Sequence, residues 1–270
     1  DRTPFYAGTY FPPDSRFGRP GFPDLLRTIL QAWTHNRDSL IDAGRDLVSR
    51  MAPSPAPSGG LGAIPADLSL RDLSILRRYF DKRYGGFGNA PKFPRPSELQ
   101  FLIRTHLRTG DPVALDMVVA TLRGMSGGGI HDQVGGGFHR YSVDAQWRVP
   151  HFEKMLYDQA QLAPVFLDTS ILTHEPVFAE TARRTLDYVL GELGSPDGGF
   201  YSAEDADSPL PEDPQRHAEG AFYLWTAAEI REVLGEAADL FLFHYGVGEK
   251  GNALSDPHGE FGNGNILYET

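Results

Sequence analysis

One stretch of the chain, residues 135–159 (GGGFHRYSVDAQWRVPHFEKMLYDQ), concentrates side chains that could do chemistry. Histidine and carboxylate groups can transfer protons, arginine and carboxylates can bind hydroxyl groups, and aromatic rings can pack against the C–H face of a sugar. A glycine-hinged loop seldom gathers so many ionisable groups for stability alone. For the stretch as a whole, this mixture favours a polar ligand cleft.

The expected acid–base residues of this stretch are His139, His151 and Asp158. The expected substrate-binding residues are Arg140, Tyr141, Asp144, Trp147, Glu153, Lys154 and Tyr157. Each has a structural alternative: Glu153 would only complement a helix dipole, Arg140 would pair with Asp144, and the aromatic rings would be core.

The apolar spacing predicts a long helix over residues 151–173, entered through Pro150 and kinked at Pro164. On that helix His151, Met155 and Asp158 would share one face, because they are four and three residues apart.

A second acidic cluster lies in SAEDADSP, residues 202–209. Glu204 and Asp205 are candidate catalytic carboxylates, and Asp207 is a candidate substrate contact. Glycosidase chemistry needs two carboxylates across a sugar ring, for example Asp158 opposite Asp205. A divalent cation site and a helix cap with solvated loop charges remain alternatives. The spacing matches no calcium loop and no strong zinc motif, so we expect neither a metal nor a cofactor.

Two further segments carry weaker signals. In EGAFYLW, Glu219 and Trp225 could extend the cleft, although a buried tryptophan is the plainer interpretation. In GNAPKFPRP, Lys92 and Arg95 could bind a phosphate or a carboxylate, but solvated bases on a rigid connector are favoured there.

The composition excludes several functional classes. A net charge of −11 and a pI of about 5.2 argue against binding to nucleic acid. The chain has no cysteine, which removes disulfides and thiolate sites and fits a reducing, cytoplasmic compartment. It has no apolar run long enough to span a membrane, so we expect no membrane partner.

The organisation along the chain predicts stacked helical hairpins. Residues 1–12 read as an extended aromatic run, the next segment has helical spacing to about residue 50, and residues 51–65 read as a linker rich in Pro, Gly and Ser. Beyond it, glycine-rich turns recur at intervals of roughly 50–60 residues, which is typical of helical repeats. The turns place Phe87, Phe138, Phe200 and Phe261, and each phenylalanine should anchor its turn in the core.

Four motifs in this order resemble one family: YAGTYFPP, GNAPKFPRPSEL, HDQVGGGFHRYSVDAQWRVPHFEKMLYDQAQL, and GGFYSAEDADSP followed by EGAFYLWTAAEI. The chain is similar, over nearly its whole length, to the large thioredoxin-domain-containing proteins of the spermatogenesis-associated type. Such proteins combine a thioredoxin-like domain with an α/α toroid similar to N-acylglucosamine 2-epimerases and six-hairpin glycosidases.

The resemblance implies a mainly α fold in which an incomplete α/α toroid follows the tail of a thioredoxin-like domain. Residues 1–50 would be that tail, contributing its last strand and last helix, and residues 66–270 would be the first part of the toroid. The chain then looks like a fragment, with the cysteine motif of the redox domain lying upstream of Asp1.

Two functions compete at this point. The first is a carbohydrate-active or carbohydrate-binding toroid that resembles sugar 2-epimerases and transfers a proton at a sugar in its mouth. The second is a non-catalytic binding scaffold, or a redox-linked partner of the upstream thioredoxin-like domain. Fold analogy alone does not decide between them. Side chains converging on one pocket would favour the enzyme, and internally paired charges would favour the scaffold.

Overall fold

The structure is a computed structural model that describes residues 3–16, 18–51, 68–211, 213–253, 256, 259 and 261–270. The chain divides into two compact units, Asp1–Ile64 and Pro65–Thr270. Apart from Met51, the linker predicted at residues 51–65 lies outside the described residues. Its boundaries stay a prediction.

The first unit contains two helices, α1 (Phe22–His35) and α2 (Arg37–Met51), where we expected one. They separate at Asn36, whose backbone leaves the helical region at φ −133°. The strand predicted within residues 1–12 is not observed over residues 3–12, which lie beside no other strand in the described part of this unit. An extended segment without such a partner has unpaired backbone groups and is not a strand.

The second unit is mainly α. Its helices are α3 (Leu68–Tyr79), α4 (Pro96–Thr109), α5 (Pro112–Gly127), α6 (Leu156–Thr173), α7 (Pro176–Gly191), α8 (Ala227–Leu234) and α9 (Ala238–His244), with a short 3-10 turn at Gly235–Ala237. Helices α4 and α5, α6 and α7, and α8 and α9 pack as successive hairpins. The predicted mainly α fold of successive helical hairpins is confirmed.

Local sequence explains the tight connections between paired helices. The link from α4 to α5 is Gly110 and Asp111: the glycine takes φ +72°, and the aspartate side chain accepts a hydrogen bond from the backbone N–H of Val113. A left-handed glycine ends a helix, and Asp followed by Pro begins one. Four helices, α4 to α7, then enclose one apolar core, which includes Leu99, Leu102, Val118, Leu122, Phe138, Phe166 and Phe178.

The strands are three short antiparallel pairs: β1 (Tyr141–Ser142) with β2 (Pro150–His151), β3 (Lys154–Met155) with β4 (Ala203–Glu204), and β5 (Asp207–Leu210) with β6 (Asp213–Glu219). The prediction that a helix begins at His151 is therefore wrong. Residues 150–155 are extended because their backbone pairs with two neighbouring segments, and α6 begins at Leu156. His151 and Asp158 consequently do not share a helix face.

Three of the four predicted glycine-rich turns are equivalent in structure. Each of the three closes with a β-bridge to its phenylalanine: Phe80 to Phe87, His131 to Phe138, and Gly194 to Phe200. Phe87 and Phe138 are buried in the core as expected, whereas Phe200 is 51% exposed and does not anchor its turn. Among the described helices, none is long and apolar enough to cross a bilayer.

The prediction that Lys92 is solvated is wrong. Its side chain is fully buried rather than solvated, and its Nζ donates to Asp81 Oδ2 at 2.7 Å and to the carbonyls of Gly85 and Ala145. A charge can be buried only when it is paired and hydrogen-bonded, and three acceptors satisfy this ammonium group. Arg95, by contrast, is exposed as predicted.

Candidate functional site

The extended segment of residues 150–155 separates two groups of polar side chains. Successive side chains of an extended backbone point to opposite sides. Accordingly His151 and Glu153 approach Arg140, whereas Lys154 approaches Asp132. We call the first group the His151 cluster; it comprises Arg140, Tyr141, His151, Glu153, Tyr157, Asp158 and Glu219. The second, the Lys154 cluster, comprises Asp132, His139, Lys154, Tyr188, Glu204 and Tyr223.

In the His151 cluster the imidazole is held by a carboxylate and a ring. Nδ1 of His151 lies 2.7 Å from Glu219 Oε1, and the ring stacks on Tyr141 with centroids 5.0 Å apart. The hydrogen bond that His151 donates to Glu219 raises the pKa of His151 above its usual value, against the opposing effect of burial. The protonated form of this half-buried imidazole is therefore favoured more than that of a free histidine.

Arg140 and Glu153 form the ion pair beside this histidine. Arg140 Nη1 lies 2.7 Å from Glu153 Oε2, which is itself 3.9 Å from His151 Nε2. The hydrogen bond to Glu153 is the main reason that the pKa of Arg140 is raised, and Tyr157 adds to the effect. Tyr157 is 47% exposed, so part of this residue next to the pair is open to solvent.

Asp158 lies in the first turn of α6 and is the least satisfied carboxylate of the cluster. It is 7% exposed, and its buried Oδ2 has no hydrogen-bond partner among the described residues. Burial raises the pKa of Asp158 to about 7; the positive charge of Arg140 opposes this, and Glu153 adds to it. Near neutral pH this carboxyl group is therefore present in both protonation states, as a general acid or base requires.

The Lys154 cluster is buried and closely paired. Lys154 Nζ donates to Asp132 Oδ2 at 2.8 Å and to the carbonyl of Gly136 at 3.0 Å, and it lies over the rings of Tyr188 and Tyr223. The hydroxyl of Tyr188 donates to Glu204 Oε2 at 2.6 Å. Burial, with Glu204 nearby, raises the pKa of both tyrosines. These contacts tie the charged groups of this cluster to one another.

His139 belongs to this buried side and not to the side of His151. Its Nδ1 donates to the carbonyl of Phe152 at 3.0 Å. Burial, reinforced by the positive charge of Lys154, lowers the pKa of His139 to about 3. The imidazole is therefore neutral over the physiological range.

The other predicted residues lie apart from both clusters. Trp147 is fully buried at φ +66° and donates from Nε1 to the carbonyl of Tyr84 at 2.9 Å, so it offers no open plate to a ligand. Asp144 accepts three backbone N–H groups of its own turn and is not the partner of Arg140. Asp205 and Asp207 are exposed and share a local hydrogen bond.

The structure thus divides the side chains that we expected around one cleft. It brings together Arg140, His151, Glu153 and Asp158, and it brings Glu219 to His151 across a long sequence separation. Trp225 lines a cavity on the other side of the segment. The catalytic and binding roles of all these residues stay predictions. No group of three or more His, Asp or Glu in the described ranges is arranged to hold a metal ion.

Sequence reasoning missed Asp132 and Tyr188. A signal for Asp132 was present: Asp81 and Asp132 each precede a Gly-Gly-Phe turn by the same spacing, and a buried lysine follows each turn. Tyr188 gave no signal, because it lies within the apolar pattern of α7.

Comparisons with known proteins relate this chain to one family. The model of the family Thioredox_DsbH, described as a protein of unknown function (DUF255), matches residues 1–52. Human spermatogenesis-associated protein 20 is 42% identical over 98% of this chain, and the mouse protein is 41% identical over the same share. The predicted family resemblance is confirmed. The chain spans 36% of the length of these two relatives. It is also 38% identical to an uncharacterized protein of Caenorhabditis elegans; this match covers 99% of this chain and 38% of that protein.

Among solved structures, a cellobiose 2-epimerase from Bacillus thermoamylovorans is similar to 73% of this chain and 57% of its own, with 13% identity and a TM-score of 0.46. A sugar epimerase from a ruminal bacterium matches 49% of this chain and 37% of its own, with 15% identity and a TM-score of 0.45.

Proposed function

We propose that the His151 cluster binds a sugar and transfers a proton on it, as part of a carbohydrate-active or carbohydrate-binding α/α toroid. The observation that carries the proposal is Asp158: a buried carboxyl group with an unpartnered oxygen and a pKa of about 7, close to a guanidinium group. Such a group is expensive to bury for stability alone, and perturbed carboxyl groups of this kind concentrate at functional sites.

The neighbouring side chains suit a sugar. Arg140 and Glu153 offer charged hydrogen-bonding groups to hydroxyls, and the exposed ring of Tyr157 offers a surface for the C–H face. In the proposed reaction one of the two titratable groups, Asp158 or His151, takes the proton from the carbon next to the carbonyl of an open-chain sugar. The other then gives a proton to the opposite face, which inverts that carbon with no net gain or loss of protons.

The alternative is a binding scaffold that acts with the upstream thioredoxin-like domain, a partner that we propose from the family resemblance. One observation favours it: many charged groups are paired internally, Arg140 with Glu153 and Lys154 with Asp132. In a scaffold Asp158 would accept a hydrogen bond from a ligand without proton transfer to carbon. We keep the cytoplasm as the proposed compartment of either function.

The test is solvent exchange. The full-length protein is incubated in D2O with a panel of reducing mono- and disaccharides, and deuterium at the carbon next to the carbonyl is followed by NMR. We expect exchange to fall roughly 100-fold or more in Asp158→Asn and in His151→Gln, as for loss of a general acid or base. Asp205→Asn, which removes an exposed carboxylate outside the cluster, should leave the rate unchanged.

Calorimetric titration of the same sugars separates the alternatives. Binding without exchange, weakened by Asp158→Asn, would favour the scaffold. If no sugar of the panel binds, the carbohydrate proposal is wrong.

A further inference from the structure

Glu219 joins the His151 cluster from the base of the β5–β6 hairpin. It is the last residue of β6 and pairs with Asp207, the first residue of β5. Its Oε1 lies 2.7 Å from Nδ1 of His151 and accepts a second hydrogen bond from the backbone N–H of Phe152 at 3.3 Å. One carboxylate oxygen therefore contacts two successive residues of the extended segment.

The residue after Glu219 allows the hairpin to approach the segment this closely. Gly220 has φ +74°, and a Cβ atom there would lie 2.5 Å from Cε2 of the Phe152 ring. Glycine accepts both this backbone conformation and this approach, whereas a larger residue would not. The N–H of Gly220 also donates to the carbonyl of Ala206 at 2.9 Å. The backbone that carries Glu219 is thus packed directly on the segment that carries His151.

The contacts of the His151 ring determine what each of its nitrogens can do. An ionised carboxylate only accepts, so Nδ1 keeps its proton in the neutral ring and Nε2 has the free lone pair. In water the neutral ring of a free histidine carries its proton mainly on Nε2, so Glu219 selects the less common tautomer. Tyr141 stacks on the imidazole with the two ring planes 23° apart, which restricts the orientation of the ring.

Nε2 of His151 lies towards the ion pair of the cluster. It is 3.9 Å from Glu153 Oε2, and the same oxygen is 2.7 Å from Nη1 of Arg140. The charges of Arg140 and Glu153 also act on Asp158. The imidazole side chain keeps 26% of its surface exposed, so part of it is open to solvent. The nitrogen with the free lone pair is therefore the one on the side of the other ionisable groups.

We propose that Glu219 is a positioning residue, which holds the proton of neutral His151 on Nδ1 and thereby makes Nε2 the nitrogen that exchanges a proton with the ligand. When Nε2 takes up a proton, the ring becomes an imidazolium and the carboxylate balances its charge; when Nε2 releases the proton, the neutral Nδ1–H ring is restored. The part in proton transfer rests on the proposed function of the His151 cluster, whereas the tautomer is a property of the protein alone.

The tautomer can be measured without any sugar. In protein labelled with 15N-histidine and held above the pKa of His151, long-range 1H–15N correlation spectra distinguish a protonated Nδ1 from a protonated Nε2. Loss of the signals in His151→Gln assigns the ring. We expect Nδ1–H in the wild type and in Arg216→Met, which replaces an exposed charged side chain of β6. In Glu219→Met, which offers no carboxylate acceptor, we expect mainly Nε2–H.

Two outcomes of this measurement overturn the proposal. The first is a wild-type His151 with its proton on Nε2, and this result does not depend on the fold of a variant. The second is an unchanged Nδ1–H tautomer in a folded Glu219→Met.

The solvent-exchange assay tests the part in proton transfer. Glu219→Met should lower the exchange rate roughly tenfold or more with KM unchanged, as expected when a catalytic histidine loses the carboxylate that fixes its tautomer. Glu219→Asp, which keeps an acceptor, should restore part of the rate. A full rate in a folded Glu219→Met whose tautomer has changed overturns the positioning role. If no sugar of the panel exchanges, the sugar proposal is wrong, and the tautomer alone decides whether Glu219 fixes the proton of His151.

Discussion

Lys92 and Lys154 bind two successive glycine-rich turns in the same way. Each ammonium group donates to the aspartate that begins its turn, at 2.7 Å from Asp81 Oδ2 and 2.8 Å from Asp132 Oδ2. Each also donates to a turn carbonyl and lies near an aromatic ring. The aspartates in turn cap the backbone of their turns through Oδ1. A buried ion pair is thus the common anchor of both repeats.

The first prediction concerns this anchor. Lys154→Met should lower the free energy of unfolding by about 3–5 kcal/mol, because it leaves the carboxylate of Asp132 buried without its counter-charge. Urea denaturation followed by circular dichroism measures the change. Arg183→Ala, which removes exposed ion pairs to Glu180 and Asp187, should change the stability by less than about 1 kcal/mol.

A double variant separates the charge from the packing. In Lys154→Met with Asp132→Asn, the buried charge is gone from both partners, and part of the lost stability should return. If the loss in free energy of unfolding in the double variant equals the sum of the losses in the two single variants, the ion pair does not stabilise the turn.

The second prediction compares two repeats. Phe138→Ala should lower the free energy of unfolding by roughly 3–5 kcal/mol, since the ring is fully buried and stacks on Phe166. Phe200→Ala, at the same position of the next turn, should cost less than about 1 kcal/mol because that ring is half exposed. Equal losses in thermal or urea unfolding would contradict the difference in burial.

The third prediction concerns pH and Asp158. The carboxyl group of Asp158 keeps its proton up to about pH 7 in the folded chain, but only up to about pH 4 in the unfolded chain. This group therefore favours the folded state at low pH, and its contribution is lost as the pH rises through 7. Asp158→Asn should gain stability relative to the wild type between pH 4 and pH 8, by roughly 3–4 kcal/mol, because each unit of difference in pKa corresponds to about 1.4 kcal/mol. A difference that stays constant across urea titrations in this range would show that the burial of Asp158 has no such effect.

The fourth prediction concerns the proton of His151. Glu219→Gln should lower the pKa of His151, since the hydrogen bond that His151 donates to Glu219 is the main cause of the raised pKa. Glu153→Gln should lower it less, because Glu153 Oε2 is 3.9 Å away and acts through charge alone. NMR titration of the imidazole C–H resonances gives both values, and the reverse order would contradict the geometry.

The pattern of helices could be predicted from the sequence because it depends on local chemistry. Apolar spacing, Asp-Pro starts such as Asp111 and glycine ends such as Gly110 act within a few residues. The repeat of Gly-Gly-Phe was equally visible, and with it the equivalence of Phe87 and Phe138. The family resemblance added what periodicity alone did not, namely the thioredoxin-like N-terminal part.

The start of α6 could not be predicted in this way. Residues 150–155 have no strand pattern of their own. They are extended because β1 pairs with them across a short loop and β4 pairs with them from about 50 residues further along the chain. The same long-range contacts decide which polar residues meet. Glu219 reaches His151 from 68 residues away. We expected Lys92 in solvent, but it is buried against the preceding turn and against Ala145.

Successive side chains of residues 150–155 point to opposite sides, and this limits which changes of sequence the segment can tolerate. Substitutions on either side of the segment act on one cluster at a time, since His151 and Lys154 face different neighbours. Deleting one residue just before His151 would instead exchange the two sides, placing Phe152 at the position of His151 and Lys154 at the position of Glu153. Related chains should therefore tolerate changes of residue type in residues 150–155 far better than changes of length.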